Sequence, residues 1–149
     1  MVNIPHNVYI EASPEQVYKA LTTNEGWASW LSGAEFQSNA NGEGSIRLNW
    51  KGSQTKELIG EIQDATPGQG LAFSWQPADS RTIVSFALEP YKNGTLLAFE
   101  ETGFSTSEAD MQALVLHAVN WGEALNLLKV YLEHNIVYTQ ETIDYDQLN

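Results

Sequence analysis

The spacing of apolar residues changes from period two to helical period near the start of the chain. In "HNVYIEA", Val8 and Ile10 alternate with polar neighbours, as expected of a half-buried strand. The next stretch, "SPEQVYKAL", has apolar residues at i, i+3 and i+4, a serine N-cap and a proline at the first helical position. We therefore predict a strand followed by a short amphipathic helix.

A second short helix is predicted in "NEGWASWLSG", residues 24–33. Asn24 is the predicted N-cap, and Ser32-Gly33 is the predicted end. Trp27, Trp30 and Leu31 repeat the i, i+3, i+4 spacing, so both indoles share one helical face. We expect one tryptophan to anchor this helix in the core and the other to border a cavity entrance.

Period-two patterns dominate from here to about Phe104. The predicted strands are "GSIRLNW", "KELIGEIQDA", "GLAFSW", "RTIVSFALEP" and "GTLLAFEETGF". Turn-like pieces such as "NANGEG", "TPGQG" and "YKNG" separate them. These connections are too short for crossover helices, so the strands should pair antiparallel.

One long helix is predicted from about Ser107 to Asn135. Its apolar stripe alternates steps of four and three residues: Leu114, Ala118, Trp121, Leu125, Leu128 and Leu132. At 1.5 Å per residue it should be about 40 Å long and must pack along the sheet. We predict one domain over residues 1–136 and a polar, acidic, frayed tail over residues 137–149.

Composition restricts the classes of partner. Seven Lys and Arg against 19 Asp and Glu give a formal charge of −12, which repels nucleic acids and anionic membranes. No apolar run is long enough to span a bilayer, and no leader pattern is present, so we expect a cytoplasmic protein. Without cysteine, and with three scattered histidines, no metal site and no cofactor are expected.

The residues of these segments, and the order in which the segments occur, resemble those of a known superfamily. "IEASPEQVYKALTT", "FSW", "VSFALEP" followed by "GTLLAFEETGF", and "HAVNWGEALNLLKVYLE" are similar to the START-like, or SRPBCC, proteins with the Bet v 1-like helix-grip fold. They look most like small bacterial single-domain members of the branch named after activators of the heat-shock protein ATPase. The resemblance covers roughly residues 6–135 and implies an α+β fold: an antiparallel sheet curved around the long C-terminal helix.

The same resemblance implies an apolar cavity between the sheet and the long helix, with its mouth near the second short helix. Strand alternation and the helical stripe supply the candidate ligand-binding residues. These candidates are Trp27, Trp30, Leu31, Trp50, Phe73, Trp75, Phe86, Phe99, Glu101, His117, Trp121 and Leu125.

Glu101 and His117 are the weak candidates for catalytic groups. The resemblance implies that Glu101 points inward, where burial raises the pKa of a carboxyl unless donors hydrogen-bond to it. His117 lies on the flank of the helical stripe. Each residue also has a plainer interpretation: Glu101 as a strand-end carboxylate that reaches water, and His117 as a histidine that makes a local hydrogen bond. Arg47 should point away from the core. Relatives often carry a histidine before the closing "GF" of the last strand, where this chain has glutamate and threonine.

Three functions are consistent with these features. The first is a binding protein for a small hydrophobic molecule of lipid, polyketide or flavonoid type. The second is a cyclase or hydrolase that uses Glu101 or His117 as a general base. The third is a co-chaperone-like interaction domain, although a chaperone partner is not expected. An exposed aromatic edge would alternatively form a homodimer. The sequence favours a binding protein over an enzyme.

Overall fold

Seven strands form one antiparallel sheet in the part of the chain that the structure describes. That structure, a computed structural model, describes residues 1–31, 34–38, 43–48, 57–137 and 145–147. The elements are β1 (Val2–Ile10), α1 (Pro14–Leu21), α2 (Asn24–Trp30), β2 (Ala34–Ser38), β3 (Gly44–Leu48), β4 (Leu58–Thr66), β5 (Gly70–Trp75), β6 (Thr82–Tyr91), β7 (Gly94–Phe104), α3 (Glu108–His134) and a 3-10 turn (Tyr145–Gln147). Most of the predicted tail lies outside the described residues.

The strand order is β1-β7-β6-β5-β4-β3-β2, and every neighbouring pair is antiparallel. The predicted α+β helix-grip architecture is therefore confirmed. β2 was not among the predicted strands, because "AEFQS" offers only Ala34 and Phe36 as apolar positions. β1 begins earlier than predicted and contains Pro5, which an edge strand tolerates because one side of it has no ladder partner.

The inward faces of the strands agree with the predicted alternation. Buried rows run along β3, β5, β6 and β7: Ile46 and Leu48; Leu71, Phe73 and Trp75; Val84, Phe86 and Leu88; Leu97, Phe99 and Glu101. Trp50 lies outside the described residues. Arg47 points outward, as predicted, and its guanidinium lies 3.4 Å from the Glu57 carboxylate.

Two details of the helices differ from the predictions. The N-cap of α2 is Thr23, whose hydroxyl accepts from the Gly26 amide, whereas the Asn24 side chain accepts from the Phe36 amide and ties α2 to β2. On α3 the buried line passes through His117 and not through Ala118, which is exposed. None of the described helices is long and apolar enough to cross a membrane.

Candidate functional site

A fully buried carboxylate, that of Glu101, lies between the sheet and α3 and accepts four hydrogen bonds. Oε1 accepts from His117 Nδ1 at 2.7 Å and from Trp121 Nε1 at 3.0 Å. Oε2 accepts from Trp75 Nε1 at 2.8 Å and from Thr82 Oγ1 at 2.6 Å. An ionised carboxylate has about four acceptor positions, two on each oxygen, so this group is saturated by the protein.

The backbone brings these five side chains together from four elements. Glu101 follows Phe99 on the inward face of β7. Trp75 ends β5 and is paired with Thr82, the first residue of β6. His117 and Trp121 are one turn apart on α3, so their side chains project from the same helical face. The site therefore joins the end of the sheet to the middle of the long helix.

The electrostatics of Glu101 follow from its partners. Burial raises the pKa of this carboxyl, but the hydrogen bonds and charge of His117, with the bonds from Thr82 and Trp75, outweigh burial and bring the pKa below its ordinary value. Because an ionised carboxylate only accepts, Nδ1 of His117 carries the hydrogen in this pair. A saturated carboxylate with a lowered pKa is a weak general base, so the geometry does not favour the catalytic interpretation.

Aromatic rings fill the space around this carboxylate. Trp121 packs against Phe99, Phe86 and Trp75, with ring centroids 4.9, 5.9 and 6.1 Å away. Phe73 contacts Trp75 in an edge-to-face arrangement at 5.0 Å. All of the candidate ligand-binding residues within the described part of the chain are at most 5% exposed. The structure thus places them in one packed interior.

Gly60 makes room for one of these rings. A Cβ at this position of β4 would come within 2.7 Å of the Phe73 ring and 2.9 Å of the Ile46 side chain. Real Cβ contacts are longer than this, so the Phe73 ring can occupy this position only because residue 60 is a glycine.

Trp27 and Trp30 are both buried, at 0% and 2% exposed, and the position of one of them at a cavity entrance stays a prediction. Their indole N–H groups supply hydrogen bonds to two carbonyls at the end of α1. Trp27 Nε1 donates to the Leu21 carbonyl at 2.6 Å, and Trp30 Nε1 donates to the Ala20 carbonyl at 3.2 Å. The last four carbonyls of a helix lack partners within the helix. The tryptophan pair therefore acts as a side-chain cap that fixes α2 on α1.

The other two carbonyls at the end of α1 also have partners. The Tyr18 carbonyl accepts from Thr22 Oγ1 at 2.7 Å. The Lys19 carbonyl accepts from Thr23 Oγ1 at 2.9 Å and from the Thr22 amide at 3.3 Å. All four terminal carbonyls of α1 are thus satisfied, which explains how this helix ends without a glycine.

Asn120, next to Trp121 on α3, is a residue that the sequence analysis did not single out. Its Nδ2 is buried and has no hydrogen-bond partner among the residues that the structure describes. Asn120 lies nine residues, or two and a half turns, before Lys129, whose ammonium bonds the Tyr9 carbonyl of β1. Asn120 therefore faces away from the β1 edge. The available signal was an asparagine, a weak helix former, in the middle of a long helix.

A pocket of about 290 Å³ lies outside this interior, where α1, the start of α2 and the end of α3 meet. Its lining includes Lys19, Glu25 and Tyr131, and none of the described candidate ligand-binding residues. Within the described residues, no three side chains of metal-binding type form a cluster. The site is thus a buried polar and aromatic network, with a separate surface pocket beside it.

A family model matches this chain over residues 11–133, and its description is Activator of Hsp90 ATPase homolog 1-like protein. The match covers most of the 149 residues. The protein belongs to this family. Membership confirms the resemblance noted from the sequence and agrees with the observed helix-grip fold. No curated protein sequence matches this family member significantly.

Solved structures with the same fold include three bacterial proteins. MLL2253 from Mesorhizobium loti is 23% identical with a TM-score of 0.75, covering 91% of this chain and 99% of that one. The Aha1 dimer from Colwellia psychrerythraea is 26% identical with a TM-score of 0.71, covering 90% and 98%. SSP2350 from Staphylococcus saprophyticus is 24% identical with a TM-score of 0.71, covering 92% and 96%. These similarities concern the fold.

Proposed function

We propose that this protein binds one small hydrophobic or aromatic molecule, of lipid, polyketide or flavonoid type, between the sheet and α3. The observation that carries the proposal is the buried Nδ2 of Asn120, for which the described part of the chain offers no acceptor. Native proteins pair nearly all buried polar groups, and leaving one unpaired costs about 1–3 kcal/mol. A carbonyl or hydroxyl oxygen of a bound molecule would supply the missing acceptor.

The walls of this site suit an aromatic or aliphatic ligand. Trp121 and Phe99 from α3 and β7 offer ring faces, and burial of apolar ligand surface against them contributes about 25 cal/mol per Å². The rings fill the gap, so a ligand must displace part of the wall. The indole hydrogen bonds of Trp27 and Trp30 tie α2 to α1, so we expect α1 and α2 to move as a unit when the site opens.

The test is a thermal-shift measurement with three probes: oleate, naringenin and emodin. A probe present at 100 times its Kd stabilises the native state by about 2.7 kcal/mol. For a chain of this size that corresponds to a rise in Tm of about 5–10 °C. Failure of all three probes to raise the Tm would contradict the proposal.

Asn120→Leu separates the ligand role from a role in stability. The variant removes an unpaired donor, so the unliganded protein should become about 1 kcal/mol more stable, while the shift produced by the bound probe should fall. Asn126→Leu, at an exposed position of the same helix, is the matched control and should retain the full shift. Retention of the full shift in Asn120→Leu would exclude Asn120 as the polar anchor.

Self-association is a second candidate role, and the outer face of α3 favours it. Val115 and Val119 are 62% and 65% exposed on this face, one turn apart, with the exposed Ala118 beside them. A Cβ at Gly122 would meet no atom within 4 Å, so the monomer does not require this helix-interior glycine. A related protein is described as a dimer. We propose that a second copy packs its α3 against this face.

Sedimentation velocity of Val119→Lys tests this candidate. Charge at the centre of the contact should shift the protein toward monomer, because a lysine there must be desolvated. Gln69→Lys, exposed in the turn between β4 and β5, adds the same charge outside α3 and should leave the oligomeric state unchanged. A wild-type protein that sediments as a monomer at high concentration would exclude the dimer.

A further inference from the structure

The pocket at the junction of the three helices is separate from the interior proposed to bind a hydrophobic ligand. Its volume of about 290 Å³ is at the lower end of the range for small-molecule sites. Residues from the end of α1, the start of α2 and the last turn of α3 line it. Ala20 and Leu132 supply apolar surface, whereas Lys19 and Glu25 carry opposite charges.

Lys19 differs from the other cations in the described part of the chain. Arg47, Arg81 and Lys129 form ion pairs with Glu57, Glu61 and Glu133, and Lys92 lies over the Tyr91 ring. Lys19 is the one described lysine or arginine whose charged group has neither an anionic nor an aromatic partner among the described residues. In a chain with 19 acidic residues, this unpaired ammonium lies at a pocket.

The same pocket also favours a positive charge. Glu25 lines it and forms no ion pair with any described residue, Lys19 included. The last turn of α3 contributes Tyr131 and Leu132, and the carboxyl end of a long helix carries a partial negative charge. The charges that line the pocket sum to zero, whereas the net charge of −12 repels simple anions.

We propose that this pocket binds a small linear zwitterion, with its carboxylate at Lys19, its ammonium at Glu25 and its methylene chain against Ala20 and Leu132. A ligand of the ω-amino acid class satisfies both unpaired charges at once, which neither a simple acid nor a simple amine does. The site lies outside the sheet–α3 interior, so it is independent of the hydrophobic ligand proposed there.

The experiment is a titration of the ¹⁵N-labelled full chain, followed by two-dimensional amide NMR at low, constant ionic strength. The probes are 6-aminohexanoate, hexanoate and hexylamine, which share one chain length and differ in charged ends. Exposed ion pairs contribute about 0.2–1 kcal/mol, so 6-aminohexanoate should bind about 1.4- to fivefold more tightly than either single-charge probe. Shifts should concentrate at the amides of Ala20, Gly26 and Leu132. A shorter probe, 4-aminobutanoate, reports the preferred charge separation.

Charge-removing variants assign each end of the ligand. Lys19→Gln should abolish the advantage of 6-aminohexanoate over hexylamine, and Glu25→Gln should abolish its advantage over hexanoate. Lys92→Gln, which removes a lysine that does not line the pocket, is the control and should leave all affinities unchanged. Equal affinities for the three probes, or shifts at Asn120 and Trp121 in place of the pocket amides, would overturn the proposal. The amide spectrum of each variant verifies that it is folded.

Discussion

Glu101 on β7 and His117 on α3 meet in the protein interior, with Oε1 and Nδ1 2.7 Å apart. The contact joins the sheet to the long helix through a charged hydrogen bond, in a region otherwise packed with rings. A buried carboxylate is tolerated only where donors replace the water that it loses. Here the donors come from three elements, so the carboxylate fixes the position of α3 relative to β5, β6 and β7.

Glu101→Gln should destabilise the protein by about 3 kcal/mol, because the amide brings two N–H donors to a position where four donors converge. Chemical denaturation checks this, with midpoint and slope both fitted. Glu100→Gln, the neighbouring carboxylate on the opposite face of β7, is the control and should change stability by less than about 0.5 kcal/mol. Equal stabilities of the two variants would show that the network is not stabilising.

The buried side chain of Asp110 holds the loop before β6 to the start of α3. Oδ1 accepts from the amides of Asp79 and Ser80 at 2.8 and 3.1 Å, and Oδ2 accepts from the amide and hydroxyl of Ser105 at 2.7 and 2.6 Å. These bonds hold the pKa of the Asp110 carboxyl well below its usual range. The resulting stabilisation is complete above the unfolded-state pKa of about 3.9 and is lost as the pH falls below it.

Asp110→Asn should therefore lower the Tm at neutral pH and reduce the loss of stability on acidification. Melting curves between neutral pH and pH 2 measure both effects. Glu108→Gln, an exposed position in the same first turn of α3, is the control and should keep the acid dependence of the wild type. An unchanged acid dependence in Asp110→Asn would assign the acid sensitivity to other carboxylates.

The repeating features of the fold were predictable from the sequence, because apolar spacing and helix capping depend on residues that are close together in the chain. The Ser13 N-cap, the two ends of α3 near Ser107 and Asn135, and the inward rows of the strands all follow from spacing and side-chain type. β2 was missed because its five residues carry little apolar pattern. Ala118 was misassigned because apolar spacing placed alanine in the stripe, whereas the Glu101 network buries His117 in its place.

The site could be predicted only in part, because its chemistry depends on contacts between residues that are far apart in the sequence. Alternation on β7 and the family resemblance predicted that Glu101 points inward. No local pattern shows that Trp75, 26 residues away, donates to it. The pairing of Trp27 and Trp30 with the carbonyls of α1 is similarly a property of how two helices meet. Spacing predicted a shared face for these indoles and could not predict where their N–H groups point.

Trp27→Phe should destabilise the protein by about 2 kcal/mol, because it leaves the buried Leu21 carbonyl without its donor and removes part of a ring. Trp30→Phe should cost less, since its bond to Ala20 is longer, at 3.2 Å against 2.6 Å. Denaturant unfolding of both variants gives the two free energies. Ser29→Ala, which removes a half-buried hydroxyl from the same helix, is the control. Equal small losses in all three variants would contradict the capping role of the indoles.

Two glycines of this chain should respond oppositely to alanine. Gly122 has helical geometry in the interior of α3, and a Cβ there would meet nothing within 4 Å, so Gly122→Ala should stabilise the monomer by about 0.5–1 kcal/mol. Gly103 has a φ of 110°, and its Cβ would lie 3.0 Å from the Arg81 carbonyl oxygen, so Gly103→Ala should destabilise by more than about 1 kcal/mol.

Unfolding of both alanine variants at low protein concentration, where self-association is negligible, measures these two changes. Opposite signs are expected because one backbone position is open and helical and the other is left-handed and crowded. Destabilisation by Gly122→Ala would show that α3 has neighbours at this point even in the monomer. Repetition at high concentration then tests the outer face of α3: a Cβ at a close helix–helix contact should weaken a dimer even as it stabilises each copy.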